Sequence, residues 1–233
     1  MRTQKPKTKV GGMTLFEVLV VIAVLLLVVA ILLPQILRPR KQRARGERIS
    51  CMNSLKQVGL AFRIWQGDNN DKFPMQVSVT NGGTMELVES GTVWQHFQVM
   101  SNELNTPKFL LCPADADSNR RRATCWTCAL NERYEQIPFL GNTHTSYFVG
   151  VDAVDTNPTM FLAGDRNLMV NNVAFKPGLH SLGTNELVGW TRELHVNQGN
   201  VLMADASVQQ LSQPGLVEAL KNTGTVTNRL AIP

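Results

Sequence analysis

The stretch 18–33, VLVVIAVLLLVVAILL, contains no polar side chain. Extended back to Met13 it covers 21 residues, interrupted only by Thr14 and Glu17. A helix rises about 1.5 Å per residue, so about 20 residues span the hydrocarbon core of a bilayer. A helix on a soluble domain needs one apolar stripe, and this segment is apolar on every face. It therefore predicts a membrane helix from about Thr14 to Leu33. Glu17 is the exception to explain, because a carboxylate in hydrocarbon is costly unless it finds a partner or snorkels to water one turn away.

Charge is spread unevenly around this run. Residues 1–12 carry Arg2, Lys5, Lys7 and Lys9 with no acid, and residues 38–48 carry Arg38, Arg40, Lys41, Arg43, Arg45 and Arg48 against Glu47. These flanks hold ten of the 23 basic residues, leaving 13 to face 16 acids from Cys51 onward. The body is thus mildly acidic, at −3. The pI near 9.2 belongs to the flanks and gives no reason to expect a nucleic-acid partner. The second basic segment can lie against anionic head groups or form a solvated helix face. Cations on both sides of the apolar run leave its orientation undecided by charge.

A basic start before an apolar stretch also describes a secretory signal, but such signals place small residues after the apolar region. Here that end reads AILLPQILRPRK, and the small residues, Gly11-Gly12, come before it. A plain signal anchor accounts for the basic flank and the run, but not for Glu17 or the glycines.

Lys9-Val10-Gly11-Gly12, then Met13-Thr14-Leu15-Phe16-Glu17, then the apolar run with Pro34, resembles the class III leader of type IV prepilins and type II secretion pseudopilins. The match covers about 25 residues. It implies cleavage by a prepilin peptidase between Gly12 and Met13, followed by methylation of the new terminus. Members usually begin there with phenylalanine, where this chain has Met13. The resemblance makes Glu17 and Pro34 the family's glutamate and its frequent proline. It places Phe16, Glu17 and Pro34 in the assembly helix, the N-terminus in the cytoplasm and the body in the periplasm. Each copy then carries an ammonium at Met13 as a partner for a neighbour's Glu17. Such a pair mainly sets register, since its attraction must first recover the cost of desolvation.

Beyond the run, Pro34 and Pro39 are expected to kink or loosen the helix. Cys51, Leu55, Val58, Phe62 and Trp65 recur at helical spacing and predict an amphipathic continuation packed on the body. Gly67-Asp68-Asn69-Asn70-Asp71 ends it. Residues 92–104 read as helical. Short strands are expected at 109–111, 146–151, 159–163, 200–203 and 208–211, the last two forming a hairpin. A short helix at 214–221 has proline near its start. The outline is α+β and pilin-like: leader 1–12, membrane and assembly helix 13–33, kinked amphipathic continuation 34–66, and a globular head 67–233 on a small antiparallel sheet. Segments around Phe109–Asp115, Ser146-Tyr147, Leu162–Asn167 and His195–Asp205 resemble the bodies of pseudopilin-like proteins of planctomycete and verrucomicrobial bacteria. There the last motif often ends Asp-Gly-His-Val, where this chain has Asp205-Ala206-Ser207-Val208.

Four cysteines, Cys51, Cys112, Cys125 and Cys128, include one CxxC pair, readable as a redox motif, half a metal site or disulfide partners. Zinc would need Cys112, Cys125 and Cys128 with His144 as a fourth ligand. A body outside the inner membrane favours disulfides. The expected bridge joins Cys112 to Cys125 or Cys128, closing a loop of about 12–15 residues and contributing about 3 kcal/mol. Cys51 would take the remaining partner, or the thiols stay free in the core. The closely spaced carboxylates Asp115 and Asp117, and Asp152 and Asp155, are calcium candidates, and the resemblance to major pseudopilins implies a calcium site in the sheet region; solvated turn aspartates are the alternative. No other cofactor is expected. Asp165, His195 and Asp205 could converge for catalysis, but no hydrolase, zincin or nucleotide motif is present, and no enzyme is expected.

These readings point to a structural pseudopilin-like filament subunit, whose partners would be the peptidase, copies of itself and related subunits, an inner-membrane assembly platform and lipid. The alternatives are a signal-anchored envelope binding or sensor domain and a metal-dependent envelope enzyme.

Overall fold

The computed structural model describes residues 15–36, 40–129 and 131–233, and Gly11, Gly12, Met13 and Pro39 lie outside the described residues. The chain forms two compact units, one up to Arg43 and one from Ala44 onward.

In the first unit, α1 (Leu15–Ile36) has Glu17 in its first turn. Its segment Leu15–Leu33 is long and apolar enough to cross a membrane, and none of that segment is buried. The helix runs through Pro34 and reaches Ile36 rather than stopping at the proline.

The second unit is α+β. The helix α2 (Arg40–Asp68) contributes Cys51, Leu55, Val58, Phe62 and Trp65 to the core, as their spacing demands. The amphipathic stretch packs on the head as expected, and the second compact unit runs from Ala44 onward. The segment 92–104 forms two short helices, α3 (Trp94–Gln98) and α4 (Ser101–Leu104), rather than one. Met100 leaves helical geometry at φ −96°, ψ 24° while its side chain is wholly buried. The strand expected at 109–111 is absent; Pro107–Leu110 is a 3-10 turn, started by Pro107 and capped by Thr106.

Among the described residues nine strands follow: β1 (Tyr147–Gly150), β2 (Phe161–Asp165), β3 (Leu168–Val170), β4 (Val173–Ala174), β5 (Gly178–Gly183), β6 (Val188–Trp190), β7 (Gln198–Met203), β8 (Val208–Ser212) and β9 (Thr227–Ile232). Six form one antiparallel sheet in the order β5-β9-β1-β2-β7-β8, and β4-β3-β6 form a second. The expected hairpin is β7–β8, pairing Leu202 with Val208. Between β8 and β9, α5 (Gln213–Asn222) starts from the Ser212 cap with Pro214 in its first turn.

Alternation along the strands sorts two cores. Tyr147, Val149, Leu202 and Ala231 face the α2 side, while Phe148, Val201, Met203, Leu230 and Ile232 join α5 and Trp190 on the other. Two glycines set the spacing. A Cβ on Gly59 would lie 2.7 Å from Leu202 Cδ1, so α2 sits directly on β7. A Cβ on Gly199 would lie 2.4 Å from the Trp190 ring, so the small sheet presses its indole onto β7 from the opposite face.

Candidate functional site

The α2-facing end of β2 carries a buried polar group. Antiparallel pairing sets Tyr147 opposite Asp165, so both side chains share one face. Asp165 is fully buried; its Oδ2 accepts from the backbone N (2.7 Å) and side-chain Nδ2 (3.0 Å) of Asn200 on β7. The loop before β7 supplies His195, whose Nε2 lies 3.4 Å from Asp165 Oδ2. Val196 and Asn197 then take φ of 52° and 60°. A β-branched residue in the left-handed region is strained, and such strain persists only where surroundings over-determine it. Arg48 of α2 helps hold the loop: Nη2 donates to the His195 carbonyl (3.2 Å) and Nη1 to Gln198 Oε1 (2.7 Å).

The Cys51–Cys112 disulfide lies against this pair. Cys51 on α2 and Cys112 before β1 have Cα atoms 5.2 Å apart, and Cys112 Sγ is 3.6 Å from His195 Nε2. This corrects the expected pairing of Cys112 with the CxxC cysteines. The α2 stripe brings Cys51 onto the body at the point where Cys112 passes, and Cys125 bonds to Cys128 instead.

Burial sets the electrostatics. It pushes Asp165 up to about 7, against the pull of the Asn200 hydrogen bonds. It pushes His195 down to about 4, helped by the Arg48 cation. Asp165 Oδ1 and Asn200 Oδ1 are buried without a hydrogen-bond partner. Buried oxygens usually find partners, so this concentration marks the place as unusual.

A second cluster adjoins it through Ser146. The Ser146 hydroxyl accepts from Cys112 N (3.0 Å) and donates to Asp115 Oδ2 (2.8 Å). Arg166, directly after Asp165, grips Asp115 in a fork, Nε to Oδ2 at 3.0 Å and Nη2 to Oδ1 at 2.9 Å, and reaches Glu193 at 2.9 Å. Arg120 approaches Asp115 at 3.6 Å and Asp117 at 3.5 Å while donating to the Pro233 carbonyl. Burial works against ionised Asp115, yet Arg166 and Ser146 outweigh it and hold the carboxyl below the usual range.

The other candidates are placed as follows. Asp115 and Asp117 come together, but both face Arg120 and Arg166, which neutralise them. Asp152 is held by Arg229 at 2.7 Å, and Asp155 pairs with Arg63. The four expected calcium ligands therefore divide between arginine-neutralised groups. The expected zinc set also separates: Cys112 is bridged to Cys51, Cys125 to Cys128, and His144 Nδ1 donates to the Arg121 carbonyl at 2.7 Å. Asp165 and His195 do converge, whereas Asp205 lies exposed in the β7–β8 turn and caps Ser207 N at 2.7 Å. Sequence reasoning missed Asn200, Tyr147 and the arrival of Cys51 beside His195. The helical spacing of Cys51 carried part of that signal, by putting it on the face of α2 that meets the body.

Among the described residues, Cys51, Cys112 and His195 form the one group whose ligand atoms all lie close enough to share a metal ion, within 4.8 Å of one another. Compared with known protein families, characterised proteins and solved structures, the chain matches none.

Proposed function

We propose that this chain is a pseudopilin-like structural subunit of a type II secretion or type IV pilus-like filament. It is held in the inner membrane by α1, with its N-terminus cytoplasmic and its α+β body periplasmic. In this reading a prepilin peptidase cuts after Gly12, and the apolar helix is kept as the assembly element. Glu17 of one copy faces the Met13 ammonium of the next. Contacts of that head-to-tail kind do not close on themselves, and so build filaments. The partners are further copies, related subunits, an assembly platform and lipid.

One observation carries the reading: a diglycine leader stands directly before a membrane-length helix whose first turn holds its lone acid. The supporting feature is a second helix whose apolar stripe packs into an α+β head. The mass of the N-terminus in the native envelope tests it. A chain starting at methylated Met13, with Gly12→Val left unprocessed, is the expected result. A chain starting at Met1 would instead establish a signal-anchored envelope domain. Glu17→Ala should remain inserted but fail to assemble, and normal filaments from that variant would remove the pairing role.

A further inference from the structure

The geometry at His195 is that of a metal site drawn with its sulfurs closed. We propose that, with Cys51 and Cys112 reduced, this chain binds one zinc-class divalent cation through Cys51 Sγ, Cys112 Sγ and His195 Nε2, with the Asp165 carboxylate beside that nitrogen turning in as the fourth ligand. Oxidation of the two cysteines releases it. This does not depend on the filament reading.

Zinc is bound tetrahedrally, with Zn–S near 2.3 Å and Zn–N or Zn–O near 2.0–2.1 Å. Such a tetrahedron has S···N edges of about 3.6 Å and N···O edges of about 3.3 Å. The observed separations are 3.6 Å from Cys112 Sγ to His195 Nε2 and 3.4 Å from His195 Nε2 to Asp165 Oδ2. Two of the tetrahedron's six edges therefore match. Cys51 Sγ, Cys112 Sγ and His195 Nε2 all lie within 4.8 Å of one another, so the Cys51–Cys112 edge needs the bond opened to about 3.8 Å by side-chain rotation, and the Asp165 carboxylate must turn toward the sulfurs to close the remaining edges. One imidazole nitrogen faces both a sulfur, at an ordinary hydrogen-bond distance for sulfur, and a carboxylate oxygen at a longer one than usual for N–H···O. A single cation satisfies both.

The surroundings suit a closed site. Cys51, Cys112, His195 and Asp165 are all buried, at 0, 1, 2 and 0% exposure. Asp165 Oδ1 is buried without a partner, so the carboxylate keeps one oxygen free for a ligand bond while Oδ2, the atom 3.4 Å from His195 Nε2, holds the Asn200 hydrogen bonds. The two Asn200 hydrogen bonds orient that carboxylate, and Arg48 fixes the His195 backbone. Oriented ligands of this kind are what a metal centre requires of its outer shell.

The exchange balances with a small-molecule or protein disulfide as oxidant. The two metal-bound thiolates give up one electron pair as the Cys51–Cys112 bond forms. The oxidant's S–S bond breaks, its sulfurs leave as two thiols after taking two protons from water, and the hydrated cation departs. Bridge and cation thus exclude one another at the same pair of sulfurs.

The test uses the full chain in detergent, reduced by a phosphine that is then removed, and titrated with cobalt(II) alone. One cobalt per chain, with thiolate charge-transfer absorption in the near ultraviolet and tetrahedral bands in the visible, is expected. Cys125→Ser with Cys128→Ser should leave both unchanged, and His195→Asn should weaken cobalt binding at least ~10-fold. Asp165→Asn should move the visible bands while keeping the charge-transfer absorption, which holds the proposal open to refutation even if Cys51→Ser with Cys112→Ser fails to fold. In the Cys125→Ser, Cys128→Ser protein, oxidised glutathione should abolish the cobalt bands in step with loss of two thiols. No thiolate absorption in the reduced wild type would overturn the proposal, as would absorption that follows Cys125 and Cys128. Cobalt retained after the Cys51–Cys112 bridge has formed would do the same.

Discussion

The bridge between Cys51 and Cys112 closes a separation of 61 residues, whereas Cys125–Cys128 closes one of 3. The first is buried and ties α2 to the body beside two ionisable side chains; the second is half-exposed in the loop 121–140. In the chain-entropy description, a cross-link stabilises by restricting the unfolded chain, and the effect grows with the logarithm of loop length. The two bonds share one chemistry and differ in what they hold. One joins distant parts of the core, and the other stiffens a turn that its neighbours already shape through the Thr124 and Phe139 backbone bonds.

The largest expected effect lies with the long bridge. Replacing Cys51 and Cys112 by alanine should cost about 4 kcal/mol, read as a lower urea midpoint of the full chain in detergent. The same replacement at Cys125 and Cys128 should cost under ~2 kcal/mol. Equal losses would show that the loop-length argument fails here.

Acid gives the next effect. His96 on α3 is buried, its Nδ1 is 2.7 Å from Thr84 Oγ1, and desolvation lowers its pKa to about 4. As pH falls below 6.5 the unfolded chain takes up a proton that the folded chain refuses, so this stability is lost between pH 6.5 and 4 and is intact above it. The size is about 3 kcal/mol. His195 acts in the same direction. Asp165, raised to about 7, opposes both, because its folded form holds a proton the unfolded chain releases. The measurement is therefore the difference between wild type and His96→Gln: the variant should lose less stability on acidification. The Cys125→Ala, Cys128→Ala protein should keep the wild-type pH slope, since the short bridge touches none of these groups. A variant at His96 with an unaltered slope would contradict the assignment.

How far these regions were legible in the sequence follows the same division between local and distant. The membrane-length run, the α2 stripe, the β7–β8 hairpin and the Pro214 helix are each written in one continuous short window of sequence. The strand expected at 109–111 failed on a local signal passed over, Pro107. Strands β5 and β9 were missed because their partners lie far along the chain, Leu179 opposite Ala231 and His180 opposite Leu230. The site was half visible. Asp165 and His195 stood out as chemistry, but their meeting with Cys51 depends on α2 lying across β7, which no short window contains. The disulfide pairing failed for the same reason, since nearness in sequence suggested Cys125 or Cys128.

Strand β9 is built from residues 227–232, yet it lies inside the large sheet, between β5 and β1. Neither neighbour can pair with the other across that gap, so the sheet stays in two pieces until those residues leave the ribosome. Translation order and assembly order therefore run against each other in this body. A stop codon ahead of residue 227 would remove an internal strand and leave β5 without its neighbour, rather than trim an edge.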